Sequence, residues 1–110
     1  VGRRRLNGDG LEVDNEEGRK WLRKSAEAGH PCYMGSLGRR LLEGDGFEVD
    51  IEEGRKWLRK GAEADHPWSM GKLGRRLLNG DGFEVDIEEG RKWLRKSAEA
   101  GVSYTPGALG

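Results

Sequence analysis

His30, Cys32 and His66 are the soft metal ligands of this chain apart from the sulfurs of its two methionines, and imidazole with thiolate is a donor set that holds zinc. The two histidines stand 36 residues apart, one full period of the internal repeat described below. Packed helices lie on the order of 10 Å apart, so two such side chains cannot share one ion. Each is expected instead to close a helix by bonding its last carbonyls. Gly44-Asp45-Gly46 with its acidic neighbours has some of the composition of a calcium loop, yet placing Gly46 at the obligatory glycine makes Leu41 the first ligand and Val49 the ninth. That register fails. The same Gly-x-Gly pair follows a helix and lacks both a third glycine and a Lys-Ser/Thr, so it is no phosphate cradle. Glu52 and Glu53 point to different sides of a helix start, and no Ser, His and Asp recur at useful spacing. Each of these features is copied along the chain, whereas a catalytic constellation is ordinarily unique. The expectation is no enzyme, with no catalytic residue, metal or cofactor.

The bulk composition narrows the partners. The chain has 110 residues, and 20 Lys+Arg against 20 Asp+Glu leave no net charge, which argues against a dedicated nucleic-acid binder. No segment approaches the ~20 consecutive apolar residues of a membrane span, so no membrane partner is expected. A single Cys cannot close an intramolecular disulfide, which favours a reducing, cytoplasmic compartment. Val1 is followed directly by Gly-Arg-Arg-Arg, leaving the chain cytosolic, already processed, or excised from something longer.

The elements that must position these residues follow from a repeat. Trp21, Trp57 and Trp93 are spaced by 36, as are Asp9, Asp45 and Asp81. Residues 37–64 and 73–100 differ only at Glu43/Asn79 and Gly61/Ser97, 26 of 28 positions being identical. Three periods leave two residues over, so the chain ends in the phase in which it begins. No unit remains for a polar cap of the kind that closes natural solenoids, which fits a fragment of a longer array, a designed sequence, or ends that stack on copies of themselves. The units fall at about 1–33, 34–69 and 70–105, followed by the start of another first helix at 106–110; together they form one array over 1–110.

Each unit reads as two helices. Met34, Leu37, Gly38 and Leu41 fall at i, i+3, i+4 and i+7, predicting a first helix over Met34 to Glu43. Gly44 and Gly46 stop it. Asp50, with Glu53 three residues on, forms an acidic variant of the capping box and opens a second helix to about Ala64. This helix ends at Gly29, Asp65 or Gly101, and Pro31 and Pro67 prevent its resumption. On it Glu52 and Glu53 pair with Lys56, and Arg59 pairs with Glu63. A glycine inside a helix costs about 1 kcal/mol relative to alanine, so Gly35, Gly38 and Gly54 imply a compensating close contact. Gly38 accepting Trp57 or the next repeat's helix is the simplest arrangement, with the three tryptophans forming a ladder in the core.

Leu37-Gly38 with Leu41, the Gly44-x-Gly46 turn, Asp50, Trp57, Lys60-x-Ala62-Glu63 and Gly29-His30 together resemble the Sel-one-like repeat family, a slightly longer relative of the tetratricopeptide repeat. The resemblance covers essentially the whole chain. Departures are Met34, Met70 and Pro106, and Gly18, Gly54 and Gly90, where the family usually has Ala; the paired cysteines of secreted members are also missing. It implies an all-α, right-handed solenoid of antiparallel helix pairs and a role in binding other proteins, as an adaptor in signalling, quality control or bacterial host interaction.

In repeats of this kind the first helix lines a concave groove. That puts Arg3, Arg39 and Arg75, with Arg40 and Arg76 beside them and Leu6, Leu42 and Leu78 flanking, in a row that would hold a peptide bearing carboxylates or phosphates. The alternative is that these arginines pair with Glu48 or Glu52. A different reading is self-assembly: the last first-helix stops at Leu109, so the face around Trp93 and Leu94 lacks cover and would stack head to tail on another copy. A consensus-like or excised fragment without its own activity is the third reading.

Overall fold

The computed structural model describes the backbone of residues 16–104 and the side chains of residues 16–101. It contains α1 (Glu16–Glu27), α2 (Pro31–Glu43), α3 (Ile51–Glu63), α4 (Pro67–Asn79) and α5 (Ile87–Tyr104), with no strand among the described residues. Helices α2 and α4 are first helices of their repeats; α1, α3 and α5 are second helices. The array is an all-α solenoid in which α2 packs on α3, α4 on α5, and α3 on α4.

The first helices start three residues earlier than the apolar stripe predicts. Pro31 and Pro67 occupy the opening turn, with His30 and His66 as extended N-caps. A proline's missing N–H is no loss at that position, and its fixed φ suits a helix start. The prolines therefore open the next helix as well as closing the previous one. Gly44 and Gly80 adopt the left-handed conformation after the last turn and donate their N–H to Arg40 and Arg76 carbonyls. The chain then folds back: the Asp50 N–H donates to Leu41 O, and the Asp50 carboxylate accepts from Glu53 N–H. Only this half of the capping box forms, because the Glu53 carboxylate is engaged elsewhere.

The helix end at Gly101 does not occur. α5 runs on to Tyr104, about a turn past the point where α1 and α3 stop. α1 and α3 do end at Gly29 and Asp65, which are left-handed at φ 96° and 66°, and His30 and His66 before the prolines stay extended at ψ 113°; Val102 precedes Ser103, so no ring clash breaks α5.

Two apolar clusters hold the repeats together. Trp57 packs with Leu22 and Ala26 of α1 and Leu37 and Leu41 of α2. Trp93 packs with Leu58 and Ala62 of α3 and Leu73 and Leu77 of α4. Each indole thus closes onto the second helix of the preceding repeat. Trp57 and Trp93 are buried at 6% exposure, but Trp21 is 48% exposed and rests edge-on against Tyr33, so the tryptophan ladder holds for two rungs of three.

Glycine permits a different contact from the one expected. A Cβ on Gly38 would lie 2.5 Å from Leu58 N and 2.8 Å from Gly54 O, so α2 and α3 meet backbone to backbone at a Gly38–Gly54 crossing rather than over Trp57. Gly74 and Gly90 repeat this between α4 and α5.

Candidate protein-interaction surface

The charged side chains fall into pairs that link repeats and pairs that sit at the surface. Arg23 donates to Glu53 Oε2 at 2.6 Å, and the same oxygen accepts Trp57 Nε1 at 3.2 Å. Arg59, Glu89 and Trp93 repeat the arrangement at 2.8 and 3.1 Å. Arg59 therefore reaches the next repeat instead of Glu63 in its own helix. Lys56 and Lys60 flank the Trp57 ring at 5.6 and 5.2 Å, a cation–π arrangement. The Arg23 hydrogen bond, reinforced by Trp57 and by nearby positive charge, holds the Glu53 carboxyl below its usual range against the opposing effect of burial; Arg59 does the same for Glu89.

A depressed carboxyl adds stability that is fully present above the ordinary glutamate value of about 4.3 and is lost as pH falls toward the lower folded value. The chain is expected to lose stability on acidification through that window. Glu53→Gln with Glu89→Gln should flatten the slope of urea midpoint against pH; an unchanged slope would remove these clamps as its source.

The arginine row is split by its surroundings. Arg40 is fully buried, bonded to Ser36 Oγ at 3.3 Å and 3.5 Å from Asp45. Arg76 is buried and donates to Glu43 Oε2 of the preceding repeat at 2.6 Å. Leu42 belongs to the core and Leu78 is half-buried against the Gly90 position. Arg39 pairs with Glu43 at 2.7 Å and Asp45 at 3.0 Å, so its acids are neither Glu48 nor Glu52. Burial works against its charge, but the hydrogen bonds and proximity of Asp45 and Glu43 more than offset this and raise its pKa. Arg75 is exposed, and Asn79 occupies the place of Glu43 four residues on, so it has no acidic partner among the described residues. Arg3 and Leu109 lie outside the described residues, as do Leu6 and residues 106–110. At the end proposed for self-association Trp93 is buried while Leu94 is partly exposed.

Beside Arg75 the surface opens into a cavity of about 450 Å³ between α4 and α5, lined by Trp68, Gly71, Lys72, Arg75, Leu94 and Ala98 among others. Lys72 Nζ lies 5.5 Å over the 40%-exposed Trp68 ring. A cation pair over an aromatic floor suits carboxylate-bearing chains with an apolar side chain between the charges. The residue pattern points to Arg75 but not to Trp68 or Lys72, for which the departure from Cys32 and Ser36 one period earlier is the available signal.

The histidines do not close helices through their rings. The His66 N–H donates to Gly61 O at 3.2 Å, while its Nδ1 lies 2.8 Å from Ser69 Oγ at the start of the next helix. Among the described residues no three His, Cys, Asp or Glu gather around a common point, and no helix is long and apolar enough to cross a membrane.

Comparison with known proteins agrees with this geometry. A Sel1 repeat protein from Oxalobacter formigenes superposes with a TM-score of 0.70 at 32% identity over 76% of this chain and 62% of its own. The protective antigen c5321 of uropathogenic Escherichia coli strains, which displays an SLR fold, gives 0.75 at 33% identity over 94% of this chain. The chain spans 62% of the first relative and 22% of the second. No curated protein matches it. The Sel1 repeat model matches residues 1–30, 33–66 and 69–102; such repeats are scaffolds that generally mediate protein interactions, and the chain belongs to the Sel1 repeat family.

Proposed function

We propose that this array is a non-enzymatic scaffold that binds an acidic segment of a partner protein through the first-helix side of its last repeat. One observation carries the reading: Asn79 replaces Glu43, and Arg75 keeps an exposed guanidinium with no acidic partner among the described residues, where Arg39 is bound by Glu43 and Asp45. A guanidinium held by internal acids has little left to offer a ligand; an unpaired one beside Lys72 and Trp68 gains from each new carboxylate. The site is consequently narrower than a row running along the whole array, and Arg75 is its main contact.

Titration of a labelled Glu-rich peptide into the chain, read by fluorescence anisotropy, tests this. Arg75→Glu is expected to weaken binding roughly tenfold, in the range measured for close interfacial charge pairs, with helicity unchanged. Arg39→Glu is expected to act mainly on stability, since it places a third acid beside Glu43 and Asp45. Equal binding by wild type and Arg75→Glu would remove the arginine from the function.

A further inference from the structure

We infer that His66 makes the joint between α3 and α4 sensitive to acid, the protonated ring loosening the seat through which α4 rests on α2 and α3. Three helices meet there at one side chain. Ser69 of α4 is fully buried and fills the notch between Gly35 of α2 and Gly61 of α3, where a Cβ on either glycine would collide with its hydroxyl. Met70 and Leu73 of α4 bury in the same apolar cluster as Leu58 and Ala62 of α3. The hydroxyl lies 2.8 Å from His66 Nδ1, and no buried side-chain polar atom among the described residues is left without a partner. His66 is also the extended N-cap of α4, while its backbone N–H donates to Gly61 O of α3. One residue thus ties the end of one helix to the start of the next.

A neutral imidazole satisfies the hydroxyl in either tautomer, accepting its proton or donating to its oxygen. A protonated ring has two courses, and both are unfavourable. If it stays, a cation stands half-buried at the first turn of α4, where the helix dipole is positive. If it turns out to water, it strips a fully buried hydroxyl of its partner. The titratable and charged side chains at this end of the surrounding helices are Cys32 on α2, Lys60, Glu63 and Asp65 at the close of α3, Lys72 on α4, and Lys96 and Glu99 on α5. None forms an ion pair with the ring that would offset the added charge. Burial accordingly holds the His66 pKa below the ordinary histidine value.

The joint between α1 and α2 lacks this arrangement. His30 has the same extended N-cap backbone, but Tyr33 stands in the place of Ser69, its ring edge-on and 6.0 Å from the imidazole, and the histidine is exposed. A lowered histidine pKa means that the open chain binds more protons than the closed one, so stability rises with pH. The contribution of His66 is intact above about 6.5, the ordinary histidine value, and is lost as pH falls from there through the lower folded value. Its loss begins at a higher pH than that of the Glu53 and Glu89 carboxylates.

Proton NMR titration and amide hydrogen exchange of the full 110-residue chain test the inference. The chain has two histidines, so His30→Asn leaves a single imidazole to follow. His66 is expected to titrate below about 6.5, and each unit of that lowering weakens the closing equilibrium of the joint about tenfold once the ring is protonated. Protection of the Met70 amide, which bonds to His66 O at 3.0 Å, is expected to fall by the same factor on acidification through that window. His66→Asn keeps a neutral capping side chain and should abolish this pH dependence, while His30→Asn should leave it unchanged. Ser69→Ala leaves no hydroxyl to be stripped when the ring turns out, and should bring the His66 titration back toward about 6.5. A wild-type His66 titrating at or above that value overturns the inference, as does Met70 protection that keeps its pH dependence in His66→Asn or loses it in His30→Asn. Circular dichroism checks folding; should His66→Asn not fold, Ser69→Ala decides, and a ring whose titration is indifferent to loss of the hydroxyl overturns the inference.

Discussion

Gly38→Ala is expected to destabilise the protein by about 2 kcal/mol, although alanine is the better helix former. The propensity gain is at most about 1 kcal/mol. Against it stands a methyl group 2.5 Å from Leu58 N, 2.8 Å from Gly54 O and 2.9 Å from Leu58 Cα. All three are backbone atoms of the facing helix, and none can rotate away as a side-chain tip would. The helices must separate, and overpacking of this kind costs about 1–3 kcal/mol and occasionally more, while dispersion attraction weakens along the whole crossing. Gly101 supplies the control: it lies in α5 with nothing within 4 Å of an added Cβ, so Gly101→Ala should be neutral or gain a few tenths of a kcal/mol. Adding Gly54→Ala to Gly38→Ala should cost less than the sum of the two, since the crossing has already been opened. Urea midpoints of the four variants and of wild type measure this, and a Gly38→Ala midpoint at or above wild type would eliminate the backbone crossing as the organising contact.

Trp57→Ala should cost still more, about 3–5 kcal/mol, the range for removing a buried tryptophan. The ring joins α1, α2 and α3 through Leu22, Ala26, Leu37 and Leu41, and its N–H satisfies the Glu53 carboxylate that Arg23 also holds. Because a solenoid is stabilised by nearest-neighbour interfaces, the loss falls on the junction between the first two repeats. The variant should show α1 melting before α4 and α5, giving a broadened or two-step urea transition by circular dichroism. Trp21→Ala, at a ring about half exposed, should cost less than half as much. Equal losses at Trp21 and Trp57 would contradict the inter-repeat role of the buried indole.

Much of this is legible in the residues. The 36-residue period, the apolar stripe of the first helix, the glycine stop and the aspartate cap are local or periodic signals, and each recurs in the folded chain within a few residues of its expected place. An apolar stripe marks only the turns that are buried, so it places the start of the first helix too late; Pro31 and Pro67 set its true start. A glycine stop at Gly101 likewise makes α5 too short. α1 and α3 end at left-handed residues, Gly29 and Asp65, as their sequence suggests, and the histidine that follows is held extended by the proline after it; Ser103 imposes no such restraint on α5.

The interaction surface is harder to read, for a physical reason. A helix offers neighbours at three and four residues, so spacing alone matches Arg59 with Glu63 and the arginine row with acids of adjacent helices. The actual partners of Arg23 and Arg59 stand thirty residues away, a separation fixed by how one repeat leans on the next.

Sequence alone thus determined the number of repeats, the two-helix unit and the glycine turn and aspartate cap between its helices, because these depend on backbone preferences and on a hydrophobic period that any one segment carries within itself. Only the tertiary structure decided which arginines are consumed by internal pairs and which of the described tryptophans remain exposed, because those outcomes depend on the distance between backbones at the glycine crossings and on which face each repeat buries against its neighbour.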